Sequence, residues 1–189
     1  MNESQVRLGA RRAAERAVRN VSFRQANAYD LPFGDESFDV VFSHALLEHL
    51  SNPGKAVQEV WRVLKPGGVL GVCTPDWSGF LFSPATPALL DTISAYTDLQ
   101  ARNGGDASIG HKLRDYLVEA GFEQVRSTAR YENYEPLSVI GDLVAWQLER
   151  DGQLDRARTM REWAAQPGGM FAQAWVSCVG RRPPGGAKE

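Results

Sequence analysis

His44 and His49 close the short stretch HALLEH, with Glu48 directly before the second histidine. Two histidines and a carboxylate this close invite comparison with an inverted zinc motif, in which the pair shares one helix face. Positions five apart on a helix do not share a face, so the spacing is one residue too long and no metal site is expected. What remains is proton transfer. Histidine titrates near neutral pH, which makes His49 the candidate base, against a packing or helix-capping role; Glu48 reads as a solvated helix residue. A second group follows VLGVCTP: Asp76 and Trp77 stand just past a strand-like run, and Phe80 and Phe82 follow them. These could line an apolar ligand pocket or pack as an ordinary lid. Other chemistries lack their spacing: there is no G-x-G-x-x-G and no Tyr followed four residues on by Lys, as a nicotinamide dehydrogenase would need, and no G-x-x-x-x-G-K-[ST] for a phosphate-binding NTPase.

The elements that must position these residues alternate. NESQVRLGARRAAERAVRN reads as an amphipathic helix with Asn2 as N-cap and Gln5 three residues on, as in a capping box. VSFRQANA reads as a strand, LPFGDES as a turn, FDVVFSHA as a buried strand, and LLEHL as a short helix. KAVQEVWRVLK follows as a helix with one apolar face, and Pro66, Gly67 and Gly68 stop it abruptly. Lys65 then sits at the negative end of the helix dipole. A strand VLGVCTP, a loop DWSGFLFSPATP, a helix ALLDTISAYTDLQARN, a flexible GGDASIG and a helix HKLRDYLVEAGF come next. EQVRSTARYENY reads as a strand, residues 137–165 as a helical insert, and MFAQAWVSCVGR as the last strand. Residues 1–182 thus form one domain, with 183–189 a disordered tail. Strands alternating with helices predict an α/β fold: a parallel sheet with helices on both faces. In such sheets ligands bind beyond the carboxyl ends of the strands, here Asn27 and Ala28, Ser43 and His44, and Asp76 and Trp77.

Composition narrows the partners. With 189 residues, 43 % of them hydrophobic, and a net charge of -2, the chain can form a sizeable core and is not a general nucleic-acid binder. Arg7, Arg11, Arg12, Arg16, Arg19 and Arg24 crowd the first 25 residues, which reads as a solvated helix face, the alternative being an RNA or phospholipid patch. No apolar run approaches the ~20 residues of a membrane span. Cys73 and Cys178 lie inside apolar strands as free thiols, and a reduced, cytoplasmic setting fits, with no signal segment at the start.

The ordered set A-x-x-LPF, SFDVV, EHL-x-x-P and RVLKPGG, within FRQANAYDLPFGDESFDVVFSHALLEHLSNPGKAVQEVWRVLKPGGVLGVCTPDW, resembles the class I S-adenosylmethionine-dependent methyltransferases. The group is the one that includes ubiquinone and menaquinone C-methyltransferases. The resemblance is close over residues 3–77 and loose beyond. It implies a Rossmann-like sheet whose last strand is antiparallel. It also implies S-adenosylmethionine as cofactor, with Asn27 and the backbone of Ala28 at the adenine, Ser43 and His44 at the methionine moiety, and His49 near the acceptor. Asp76, Trp77 and Phe80 would then touch a small-molecule methyl acceptor. The family's glycine-rich loop and the acidic residue that holds the ribose are absent from the sequence, so the first βαβ unit is expected to be missing. VSFRQANA would then lack its usual neighbour and need another edge. The function implied is in-line methyl transfer to a small molecule; the alternative is a methyltransferase-like binding or assembly module that no longer binds the cofactor. The 137–165 insert, with Trp146 and Trp163, would cover the acceptor pocket or form the face of a homodimer.

Overall fold

The computed structural model describes residues 3–185. Helix α1 (Glu3–Glu15) leads through an irregular stretch to β1 (Phe38–His44), a 3-10 turn at Leu47–His49 and α2 (Pro53–Val63). Then come β2 (Leu64–Ser83), α3 (Pro87–Arg102), a 3-10 turn at Ile109–Lys112, α4 (Leu113–Glu119) and β3 (Glu123–Asn133). The chain ends with α5 (Ser138–Arg150), α6 (Leu154–Ala164) and β4 (Met170–Arg181). The four strands form one sheet in the order β1-β2-β4-β3. β1 runs parallel to β2, and the last strand runs antiparallel to both its neighbours, as the sequence leads one to expect.

The reversal from α2 into β2 sets the frame. Asn52 caps the start of α2, its side-chain oxygen accepting from the Lys55 N–H at 3.0 Å, and Pro53 occupies the first turn, where its missing N–H costs nothing. At the other end Gly67 has φ +81°, and a Cβ at Gly68 would lie 2.8 Å from the Lys65 carbonyl and 3.1 Å from that of Asp39. Only glycine fits both demands, so β2 can start beside β1 without a connecting loop. Lys65 follows the C-cap of α2, and its Nζ pairs with both Asp39 carboxylate oxygens at 2.9 Å and ties β1 to β2. The carbonyls at the end of α2 are met by Arg182, which donates to Trp61 O at 3.0 Å and to Leu64 O and lies over the Trp61 ring.

Two apolar clusters hold the elements. One joins α2 and α4 to the sheet through Val57, Leu64, Leu70, Leu113, Leu117 and Cys178. The other gathers α3, α5 and α6 around the far end of β2 and β4, with Phe171 at its centre. Both cysteines are free and buried, and burial raises the Cys178 thiol pKa. The side of β1 away from β2 has no strand against it among the described residues, and Val40 and Phe42 there are 64 % and 66 % exposed.

That free edge explains the main departure from the sequence reading. VSFRQANA forms no strand; residues 21–26 are irregular, and a lone bridge joins Asn27 to Asp30. A strand needs a neighbour to take its N–H and C=O groups, and none stands beside this segment. The first helix stops at Glu15 and buries no residue, with Ala17 at φ +55°, while Asn2 lies outside the described residues. DWSGFLFSPATP is not a loop: β2 continues through a bulge between Asp76 and Phe80 and pairs Phe80, Leu81 and Phe82 with β4. The insert is two helices joined at Asp151–Gln153. Arg182, the last residue of the domain, pairs with the sheet through Gly68 O at 2.8 Å; of the tail, Pro183 O accepts from Gly67 N, and residues 186–189 lie outside the described residues.

Candidate active site

β1 ends on a bend. Ala45 has φ +47°, a left-handed conformation costing a non-glycine residue about 1–3 kcal/mol, and its N–H is held by Cys73 O at 2.9 Å. The bend throws the chain into the Leu47–His49 turn and separates two spaces. On one side a cleft of about 840 Å³ wraps the free edge of β1, lined by Ala28, Ser43, His44, Leu46 and the α2 face. On the other lies a cavity of about 240 Å³ under α5, lined by Glu48, Trp77, Tyr96, Tyr134, Gln173 and Trp175 among others. Ala45 and His49 line both. The His49 side chain is 56 % exposed, so proton exchange with solvent is open to it.

The predicted residues divide between these spaces. Ala28, Ser43 and His44 meet at the cleft; the Ser43 hydroxyl oxygen is buried there without a partner. His44 also stacks on Trp175, ring centres 4.9 Å apart. Asn27 is not among the cleft-lining residues. Its side-chain oxygen accepts from Tyr29 N at 3.0 Å, which leaves a second lone pair. Trp77 lines the cavity, together with Val139, Leu143 and Gln147 of α5. The insert therefore roofs this space. Asp76 and Phe80 are drawn away from it: the Asp76 carboxylate accepts from Ser78 N at 2.8 Å with His111 Nδ1 3.2 Å away, and Phe80 stacks between Phe82 and Phe171.

Glu48 is not a solvated helix residue. It is 3 % exposed, its Oε2 accepts from Thr74 Oγ1 at 2.7 Å, and its Oε1 lies 3.8 Å from His49 Nε2. The turn is 3-10 rather than α, which swings Glu48 inward. Sequence reasoning also missed Tyr96, Tyr134, Gln173 and Trp175. A signal for Gln173 existed: in MFAQAW it shares the inward face with Phe171 and Trp175, a polar residue where apolar ones alternate. Gln173 accepts from the Tyr134 hydroxyl at 3.1 Å, and its NH₂ is buried without a partner. Burial pushes the Tyr96 phenol up to about 12 and raises that of Tyr134. Among the described residues no cluster of His, Cys, Asp or Glu could hold a metal ion, and no helix is long and apolar enough to cross a membrane.

Comparison with known proteins points one way. A methyltransferase domain family matches residues 1–72. The ubiquinone/menaquinone biosynthesis C-methyltransferase UbiE of Shewanella frigidimarina is 32 % identical over 141 residues, 68 % of this chain and 56 % of that protein. UbiE of Pseudomonas entomophila is 33 % identical over 138 residues, 66 % of this chain and 54 % of the relative. The chain thus spans just over half the length of these relatives. Among solved structures, YcgJ from Bacillus subtilis superposes with TM-score 0.66 at 20 % identity, covering 97 % of this chain and 80 % of that one. The [4+2]-cyclase SpnF superposes with TM-score 0.60 at 22 % identity, covering 97 % and 64 %. At such identities the likeness is one of fold. By the sequence of its first 72 residues and by its likeness to UbiE over 141 residues, the chain belongs to the class I S-adenosylmethionine-dependent methyltransferase family.

Proposed function

We propose that the cleft along β1 binds S-adenosylmethionine and that the cavity under α5 holds a small-molecule methyl acceptor. The observation that carries this reading is the shared wall: Ala45 and His49 line both spaces, so His49 stands against the occupants of each. The fit of the cleft to the cofactor rests on its volume and on the buried, unpartnered Ser43 hydroxyl. Ser43 and His44 would meet the methionine end, and Asn27 with the Ala28 backbone the adenine. When bound, the cofactor supplies an electrophilic methyl group on a sulfonium. The chain's own part is positioning and exclusion of water, in which Trp77 and the α5 roof take the acceptor side. His49 takes the acceptor's proton on an imidazole nitrogen. The chain works in the cytoplasm without nucleic acid, and Trp146, half-exposed on α5, suits the face of a homodimer.

A second reading has its own observation. Among the described residues no carboxylate lines the cleft to hold a ribose and no strand closes its open side, which favours a binding module that has lost the cofactor. Calorimetric titration with S-adenosylhomocysteine decides. Saturable binding with Kd of about 1–100 μM, weakened about tenfold or more in Asn27→Ala and Ser43→Leu, supports the enzyme. A folded chain that gives no heat of binding overturns the cofactor site in these 189 residues and leaves a fragment of a longer enzyme or the module.

A further inference from the structure

The cavity under α5 carries more chemistry than an apolar acceptor needs. Its volume of about 240 Å³ holds roughly eight water molecules at liquid density, so its occupant is small. Four aromatic rings, Trp77, Tyr96, Tyr134 and Trp175, stand in its walls beside aliphatic residues and the amides of Gln100, Gln147 and Gln173, and Trp77 and Tyr96 meet at a corner with ring centres 4.7 Å apart and planes tilted 56°. Into this apolar box the chain places a carboxylate. Glu48 is 3 % exposed, and only its Oε2 is taken up, by Thr74. Among the described residues no lysine or arginine pairs with it, and the group nearest to a counter-charge is His49 at 3.8 Å from Oε1.

A buried carboxylate without a fixed cation is costly, and its cost is offset when a ligand brings the opposite charge. Aromatic faces around the same space attract a cation as well. The unpartnered NH₂ of Gln173 offers one donor to a polar atom elsewhere on the ligand. We propose that this cavity takes a small cationic amine, held by the Glu48 carboxylate and the aromatic walls, and that the amine nitrogen is the methyl acceptor. This rests on the methyltransferase reading and names its substrate class. The balance closes within the site. The entering ammonium gives one proton to His49, and the neutral nitrogen uses its lone pair to form the new N–C bond. The S–C bond of the sulfonium breaks with its electron pair left on sulfur, and the positive charge passes from sulfur to the methylated nitrogen. Glu48 faces a cation before and after, so product as well as substrate is held.

The test needs no cofactor. Choline and its uncharged carbon isostere dimethylbutanol are titrated into the chain with tryptophan fluorescence as the readout, Trp77 and Trp175 being in the cavity walls. Choline is expected to bind about tenfold tighter or better, and Glu48→Gln to remove the difference. Equal binding of the two probes by the wild-type chain overturns the proposal, and that comparison stands even if Glu48→Gln fails to fold. With cofactor present, methyl transfer to small primary or secondary amines is expected; transfer to matched alcohols in preference to amines also overturns it. Titration with S-adenosylhomocysteine separates the two ideas. Cofactor binding with no preference for the cation sinks the amine and spares the methyltransferase, whereas cation preference without cofactor binding leaves a cation-binding cavity and overturns methyl transfer to the amine.

Discussion

Replacing Thr74 by valine tests how Glu48 is held. Thr74 and Glu48 are 1 % and 3 % exposed, and the 2.7 Å bond from Thr74 Oγ1 is the one hydrogen bond recorded for the Glu48 side chain among the described residues. Valine keeps the shape and deletes the donor. A hydrogen bond to a charged group is worth about 1.5–3 kcal/mol, and in a chain of this size each kcal/mol moves the melting temperature by roughly 2–4 °C. Thr74→Val should therefore melt about 3–12 °C below the wild type. In a Glu48→Gln background the acceptor is neutral, and the same change should cost only about 0.5–1.5 kcal/mol. Urea unfolding of the four proteins of the cycle yields a coupling of about 1 kcal/mol if the carboxylate is what Thr74 supports. An identical loss in both backgrounds, or a Thr74→Val protein within about 0.5 kcal/mol of wild type, refutes the reasoning.

Phe171, fully buried amid Trp77, Phe80, Tyr134 and Trp163, anchors the cluster behind the cavity, and Phe171→Ala should cost about 3–5 kcal/mol in denaturant unfolding. Tyr96 is pushed up to about 12 by burial, so its phenol stays neutral in the fold while the unfolded chain ionises near pH 10. The stability it contributes is fully present below pH 10 and is lost as pH rises from about 10 through 12, by on the order of 2–3 kcal/mol. Unfolding followed across that window in wild type and Tyr96→Phe should show a shallower decline in the variant. Thr86 caps α3 by accepting from Leu89 N at 3.2 Å, and Thr86→Ala should lower stability by about 1 kcal/mol with the cofactor titration unchanged.

What the sequence discloses and what it hides follow from the range of the interactions. The reversal at RVLKPGG is local, written in Pro66, Gly67 and Gly68, and it is found within that motif, with the helix ending at Val63 rather than at Lys65. The motif pieces also hold one another: Arg62 of RVLKPGG donates to Phe33 O at 2.9 Å and Leu31 O at 3.2 Å of LPF, and to Asp35 and Glu59. A strand is different, because its existence depends on a partner supplied from elsewhere. VSFRQANA has strand-like residues and no partner, so it does not pair; GFLF looks loop-like between Gly and Pro and pairs because β4 passes beside it. The burial of Glu48 is non-local in the same way. Whether LLEHL winds as an α or a 3-10 turn decides which side faces in, and that choice is made by the bend at Ala45 and the contact with Thr74.

The same division bears on where acceptor choice is encoded. The fold alone does not choose a reaction, since a [4+2]-cyclase shares it with TM-score 0.60. The family match ends at residue 72, and within it lie Ala28, Ser43 and His44, the cleft wall along β1. Past it lie Trp77, Tyr96, Tyr134, Gln173 and Trp175, which with the α5 roof make the cavity. Glu48 and His49 belong to the stretch that the domain family matches, and both line the cavity built mostly by residues past it. One segment thus frames the cleft and presents a carboxylate and an imidazole, and on the proposed reading the rest of the chain builds the cavity in which an acceptor meets those two groups. Exchanging residues of the box should change which molecule is bound while leaving the cleft as it is; exchanging Ser43 should do the reverse.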